Sequence, residues 1–320
     1  MEKDKPKNKI NIAAKADTVQ MVSQEMLLPM DEINNKPYMS RNISVVKRGV
    51  LYPLNIDSYT SNKIDSYSKF LEVVEDIRDD LFIDSWYIDR LDIAIDIDYS
   101  YEQFYKLNNM LISLFGLYRG QIDKITDTCG QHDKRKRQLL YSDRKISFAI
   151  YDKALESHYR EPYNRCEFRF KLLTENTSKT VFERIYTILD SLPKYINKLN
   201  ELKIKKLYSI WLKESKPDYK NTPVKSLPEF FRRYGNDIFT VEIARGLHDK
   251  VLKGNYDNWI KKYRQKGGNL QFISKKNITA YCRLLKNAVR RYEKKDTQKV
   301  PLCGTFCNGG DNAEKTANNA

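Results

Sequence analysis

The 320-residue chain has little of what marks a secreted, membrane-spanning or zinc-bound protein. Its 5 cysteines, at 129, 166, 282, 303 and 307, are an odd number with no shared spacing. That argues against a disulfide framework in so long a chain, and the one close pair, Cys303 and Cys307, has no histidine after it to complete a zinc site. Histidine is as scarce: His132, His158 and His248 stand apart, so there is no His-x-His metal pair. No run approaches the about 18 apolar residues of a membrane helix, and KDKPKNK near the start leads into no apolar signal core. These absences predict a soluble, cytoplasmic protein with no membrane partner.

What the chain does have is positive charge, 57 Lys and Arg against 42 Asp and Glu, for a formal net charge of +15. The excess is local. Residues 1–200 hold 31 basic and 30 acidic side chains, a net of +1, whereas residues 201–300 hold 25 and 10, a net of +15. The last twenty residues carry Lys315 against Asp311 and Glu314, a net of −1. A basic segment attached to a charge-balanced one points to nucleic acid. An acidic membrane surface is the competing partner, but these cations are spread over a hundred positions and mixed with tyrosine, unlike a single amphipathic helix.

Hydrophobic periodicity predicts an α+β protein, a mostly antiparallel sheet with helices on one face, followed by a basic helical C-terminal extension. Residues 1–40 read as a flexible N-terminal segment, 41–200 as the α+β domain, 201–300 as the basic helical region and 301–320 as a disordered tail. Within the domain, SVVKRGVLYPLNI (44–56) suggests a strand or hairpin, 63–79 a helix, 86–98 a strand and 102–115 a helix. Short strands are expected near 116–122, 137–142, 145–152 and 163–173, then a helix over 179–199 interrupted at Pro193.

Three of these strands divide cleanly by face, because successive strand side chains point to opposite sides. In IDRLDIAIDID, Leu91, Ile93, Ile95 and Ile97 share one side, so Arg90, Asp92, Ala94, Asp96 and Asp98 share the other. RCEFRFKLL sets Arg165, Glu167, Arg169 and Lys171 opposite Cys166, Phe168 and Phe170. KISFAIYDK sets Ser147, Ala149, Tyr151 and Lys153 opposite Ile146, Phe148 and Ile150. Three carboxylates on one strand face, the closest pair about 7 Å apart, repel one another, and a hard divalent cation would relieve that. A solvated polar face would explain them equally. A tyrosine beside carboxylates and cations suits phosphodiester chemistry, although Tyr151 is one of 22 tyrosines, most of which must serve packing. Tyr141, Tyr159 and Tyr163 are close enough in sequence to be rivals.

At these residues the chain resembles the rolling-circle replication initiators of Gram-positive plasmids known as Rep_trans. That family carries an RLDxAxD strand, an IYxK segment and an RxExxxK strand, which stand here as Arg90 to Asp96, Ile150 to Lys153 and Arg165 to Lys171. The resemblance covers about residues 86–172. It implies a fold related to the His-hydrophobe-His nicking endonucleases, with carboxylates in place of the histidine pair. It implies a nicking and closing endonuclease in which Tyr151 attacks the origin phosphodiester, keeps the 5′ phosphate as phosphotyrosine and frees a 3′ hydroxyl for priming. Asp92, Asp96 and Glu167 would hold Mg²⁺ or Mn²⁺, and Lys153, Arg165 and Arg169 would contact phosphates. The implied partners are double-stranded plasmid origin DNA with its single-stranded nick site, a host helicase and a second copy of the chain. The chain departs from the family before the tyrosine, where LLYSDRK stands for a Gly-rich turn with an Arg, and Ala149 for a basic residue. A conjugative relaxase and a non-catalytic, DNA-binding copy-control protein are the alternatives.

Overall fold

The structure is a computed structural model that describes residues 11–60, 64–127, 137–157, 164–171, 177–216, 223–268 and 270–294. Along the chain run β1 (Ile12–Ser23), α1 (Met30–Asn34), β2 (Ser44–Val46), β3 (Gly49–Leu54), α2 (Tyr67–Asp80), β4 (Tyr87–Ile97) and α3 (Tyr101–Tyr118). There follow β5 (Ile125–Asp127), β6 (Gln138–Ser142), β7 (Ile146–Asp152), α4 (Lys153–Ser157), β8 (Asn164–Lys171) and α5 (Thr177–Ser191). Five more helices complete it: α6 (Ile196–Glu214), α7 (Leu227–Tyr234), α8 (Val241–Val251), α9 (Tyr256–Gln265) and α10 (Lys275–Lys294). The chain divides into two compact units. The first runs to Ile196 and takes in the chain again from Ile278; the second begins at Asn197 and ends at Asn277.

The first unit is an α+β layer. Its 8 strands form one sheet in the order β2-β3-β1-β4-β8-β7-β6-β5, every pairing antiparallel. The apolar sides of β4, β7 and β8 face the helices. Phe148 stacks on Phe168 at 4.4 Å, and Phe115 of α3 lies 4.9 Å from Phe148. Tyr67 of α2 meets Phe182 of α5 at 4.8 Å and Tyr292 of α10 at 6.3 Å. Phe115, Phe148, Phe168 and Phe182 are all fully buried, worth about 1.5–3 kcal/mol each, so this side supplies the cohesion of the layer. One polar network crosses it: Tyr281 of α10 donates to Asn108 of α3 (3.2 Å), whose amide donates to Asn164 of β8 (3.2 Å).

Three expectations change. Residues 12–23, assigned to a flexible segment, form β1, paired with β3 on one side and β4 on the other. Its register shifts between Ala16 and Val19, where Asp17 and Thr18 bulge, and this break hides the alternation that marks a strand in sequence. No strand occupies 116–122. Helix α3 runs on to Tyr118, and Gly116 is a point of close approach, where a Cβ would come within 2.8 Å of the Ile125 side chain and 3.1 Å of the Ile122 backbone. Helix α10, counted in the basic extension, belongs to the first unit, because Tyr281, Leu285 and Tyr292 bury its inner face there. The β2–β3 hairpin, α2 and the break at Pro193 fall where expected. The tail 301–320 lies outside the described residues.

The second unit is helical. Ser226, Thr240 and Asn255 cap α7, α8 and α9, each side-chain oxygen accepting from a backbone N–H of the first turn. Trp211 of α6 packs edge-on against Phe230 of α7 at 5.6 Å, and Thr240 donates to Asn200 at 2.9 Å.

Candidate active site on the polar face of the sheet

Strands β4, β8 and β7 lie side by side, so their polar residues meet in rows. Asp92 stands opposite Arg169 and then Ser147; Ala94 opposite Glu167 and Ala149; Asp96 opposite Arg165 and Tyr151. The two alanines flank Glu167, leaving room over them for the longer side chains of Tyr151 and Arg169 to reach its carboxylate. Tyr151 donates its hydroxyl to Glu167 Oε2 at 2.8 Å, and Arg169 binds both Glu167 oxygens, at 2.8 and 3.2 Å. Arg165 binds both oxygens of Asp96 and also donates to Asp17 at 2.7 Å. Arg90 holds both oxygens of Asp92. The Lys153 ammonium lies 5.9 Å from the Tyr151 ring centre.

The expected site residues Asp92, Asp96, Tyr151, Glu167, Arg165, Arg169 and Lys153 are thus gathered on or beside one face, and the structure adds two. Asp17 comes from the β1 bulge, which no sequence alternation marks. Arg90 is the cationic partner of Asp92. Tyr141 sits on the other side of the sheet: it pairs with Phe148, is buried, and its hydroxyl donates to Gln121 and Asp143 at 3.1 Å. Tyr159 and Tyr163 lie outside the described residues.

Burial and pairing set the charge states. Burial pushes Asp92 up to about 7, Arg90 and Arg169 pulling against it and Glu167 adding to it. Burial would raise Glu167 as well, but the hydrogen bonds and charge of Arg169, with Tyr151 and Arg165, outweigh it and hold the carboxyl below its ordinary value. Tyr151, only 8% exposed, is raised by burial and by the charge of Glu167, against the pull of Arg165. As folded, the phenol is a donor and not yet a nucleophile.

The donor set does not fit a divalent cation as it stands. Asp92, Asp96 and Glu167 each have both oxygens engaged by an arginine, which already relieves the carboxylate repulsion that a metal would relieve. Among the described residues no group of three or more His, Cys, Asp or Glu could hold a metal ion. Nor, among them, is any helix long and apolar enough to cross a membrane.

No family model matches the chain, and no curated protein matches it. Among solved structures it is similar to a rolling circle replication initiator protein from Geobacillus stearothermophilus, at 13% sequence identity over 55% of this chain and 78% of that one. The TM-score is 0.30, too low for the likeness to carry an argument.

Proposed function

We propose that the chain nicks and rejoins one strand of origin DNA through Tyr151 and so initiates rolling-circle replication. The observation that supports this reading is the Tyr151 hydroxyl held at 2.8 Å by Glu167 on a face shared with Arg165 and Arg169. In the nick, Tyr151 Oη bonds to phosphorus as the bond from phosphorus to the 3′ oxygen breaks. The phenol proton passes to Glu167, which already accepts its hydrogen bond, and the leaving 3′ oxygen takes up a proton to become the priming hydroxyl. Arg165, Arg169 and Lys153 are the cations that would offset the charge developing on phosphorus. Rejoining is the same sequence reversed. The partners entailed are duplex origin DNA and its opened nick site; a host helicase, a second copy of the chain and Mg²⁺ or Mn²⁺ belong to the resemblance alone.

One observation favours a second reading, a DNA-binding copy-control protein without catalysis: Asp92, Asp96 and Glu167 are each already matched by an arginine, as in a purely structural ion ladder. The two readings part on a single assay. Supercoiled DNA of the replicon that encodes the chain is incubated with the protein, with Mg²⁺ and with EDTA, and covalent protein–DNA adducts are sought. The nicking reading expects an adduct that Tyr151→Phe abolishes and Tyr141→Phe retains. An absent adduct, or an equal one from Tyr151→Phe, supports the second reading. Nicking confined to a transfer origin would mark a relaxase.

A further inference from the structure

We infer that α9 is the helix by which the second unit reads duplex DNA, entering the major groove with its outer face. It deepens the origin binding of the proposed function, but it requires no nicking by Tyr151. The chain leaves α8 at Val251 and enters α9 at Tyr256 after four residues, Leu252, Lys253, Gly254 and Asn255. Gly254 has φ +146, and nothing lies within 4 Å of where a Cβ would stand, so glycine is needed there for backbone conformation and not for space. Asn255 then caps α9, accepting from the Asn258 amide at 3.1 Å. Such a helix, short glycine-bearing turn and second helix is the connection that presents a recognition helix in helix-turn-helix proteins.

The packing gives α9 one buried face and one free face. Trp259 meets Phe231 of α7 at 5.1 Å and His248 of α8 at 5.4 Å; Tyr256 lies 5.5 Å from His248, and Tyr263 6.1 Å from Phe231. Helix α9 therefore rests on both α7 and α8. Its opposite side exposes Asp257, Asn258, Lys261, Lys262, Arg264 and Gln265. Asp257 is ion-paired with Arg245 of α8 at 3.2 Å, which neutralises the acid on this face. Lys261, Lys262 and Arg264 have no acidic partner among the described residues, nor have Lys253 in the turn and Lys266 just beyond the helix.

That inventory matches a groove lined by phosphates. Lysine and arginine supply phosphate contacts, while the amides of Asn258 and Gln265 can pair with the donor and acceptor edge of adenine. A ten-residue helix is about 15 Å long, with a diameter suited to the roughly 12 Å major groove. The deep, narrow major groove of duplex RNA would not admit it.

The test uses the full chain and fluorescence anisotropy with three probes: a short random-sequence DNA duplex, the corresponding RNA duplex, and an acidic polypeptide of similar charge. The DNA duplex should bind best, with affinity falling steeply with salt. Replacing Lys261 and Lys262 together by Ala should weaken it about tenfold or more and reduce the salt slope by about 2, two phosphate contacts having gone. Both lysines are exposed, and matched thermal melts check that the fold is kept. Asn258→Ala with Gln265→Ala should leave random-sequence affinity within about twofold but change the sequences enriched from a random duplex pool. An unchanged salt slope in the lysine variant, an unchanged selected sequence in the amide variant, or equal binding of RNA or polypeptide would overturn the assignment. Failure of nicking at Tyr151 would show instead as a missing covalent adduct, with these binding results intact.

Discussion

Replacing Arg165 by Met tests the polar face most severely. The side chain is 4% exposed and bridges Asp96, 14% exposed, to Asp17, 26% exposed. Met keeps much of the apolar stem but leaves two partly buried carboxylates without their cation. Stranding a buried partner costs about 3–5 kcal/mol, and the residual exposure of both acids places this site near the lower figure, about 3 kcal/mol. Asp17→Ala alone should cost about 1 kcal/mol, the loss of one charge-assisted hydrogen bond at a partly solvated site. In the double variant the Asp17 carboxylate is no longer there to be stranded, so its removal should cost nothing further. The coupling is then about 1 kcal/mol in favour of the double variant. Because the chain has two units, a single unfolding transition would mix them, and the quantity to measure is the opening free energy of β4 and β8 amides by hydrogen exchange. Strict additivity would refute the contact between Asp17 and Arg165, and with it the placement of the β1 bulge beside the site. A loss below about 1 kcal/mol for Arg165→Met would mean that the ion ladder is not formed.

Two acids of the first unit should give opposite pH dependences. Asp143 is held down to about 2: burial opposes this, but the amides of Ile146 and Lys145 and the Arg119 guanidinium prevail. Its stabilisation is complete above the unfolded value of about 3.9 and is lost as pH falls toward 2, so Asp143→Asn should flatten the acid limb of a stability-against-pH curve. Asp92, raised to about 7, stabilises the fold when protonated. That contribution is full below about 3.9 and is lost as pH rises through about 7, so Asp92→Asn should gain on the wild type across this window; a constant offset between them would refute the raised value. Gly49, at φ +130, turns the chain between β2 and β3, and a Cβ there would overlap the Ser23 carbonyl. Gly49→Ala should cost at least about 2 kcal/mol, read as a lowered opening free energy of β3 amides by hydrogen exchange, and an unchanged value would show that the hairpin packs elsewhere.

The central strands were legible in the sequence because a sheet with one covered face imposes a period of two, and β7, β8 and β4 from Arg90 to Ile97 keep that period without a break. Strand β1 escaped notice for the same reason: the one extra residue in the Asp17–Thr18 bulge changes which side each later residue faces. The helix expected over 102–115 runs on to Tyr118, because Gly116 is a point of close approach to Ile125 and not the start of a strand. The assignment of α10 could not be made from charge. Its exposed cations match those of the preceding helices, and only the partners of Tyr281 and Tyr292, more than a hundred residues away in sequence, decide where it packs.

The site shows where such reading stops. Alternation correctly gathered Asp92, Asp96, Tyr151, Glu167, Arg165 and Arg169, but alternation along single strands says nothing about register across them. The register sets Asp96 beside Arg165, and each acid finds an arginine within reach. The repulsion that made a cation attractive on one strand is therefore relieved by cations on the same strand or its neighbour. A face neutralised in this way exerts little long-range pull on a polyanion, since its opposite charges cancel beyond a Debye length of about 8–10 Å. On the proposed function, attraction to DNA comes from unpaired cations instead. Lys261, Lys262 and Arg264 on α9 answer that need, so in this chain holding the DNA and acting on it would fall to different elements.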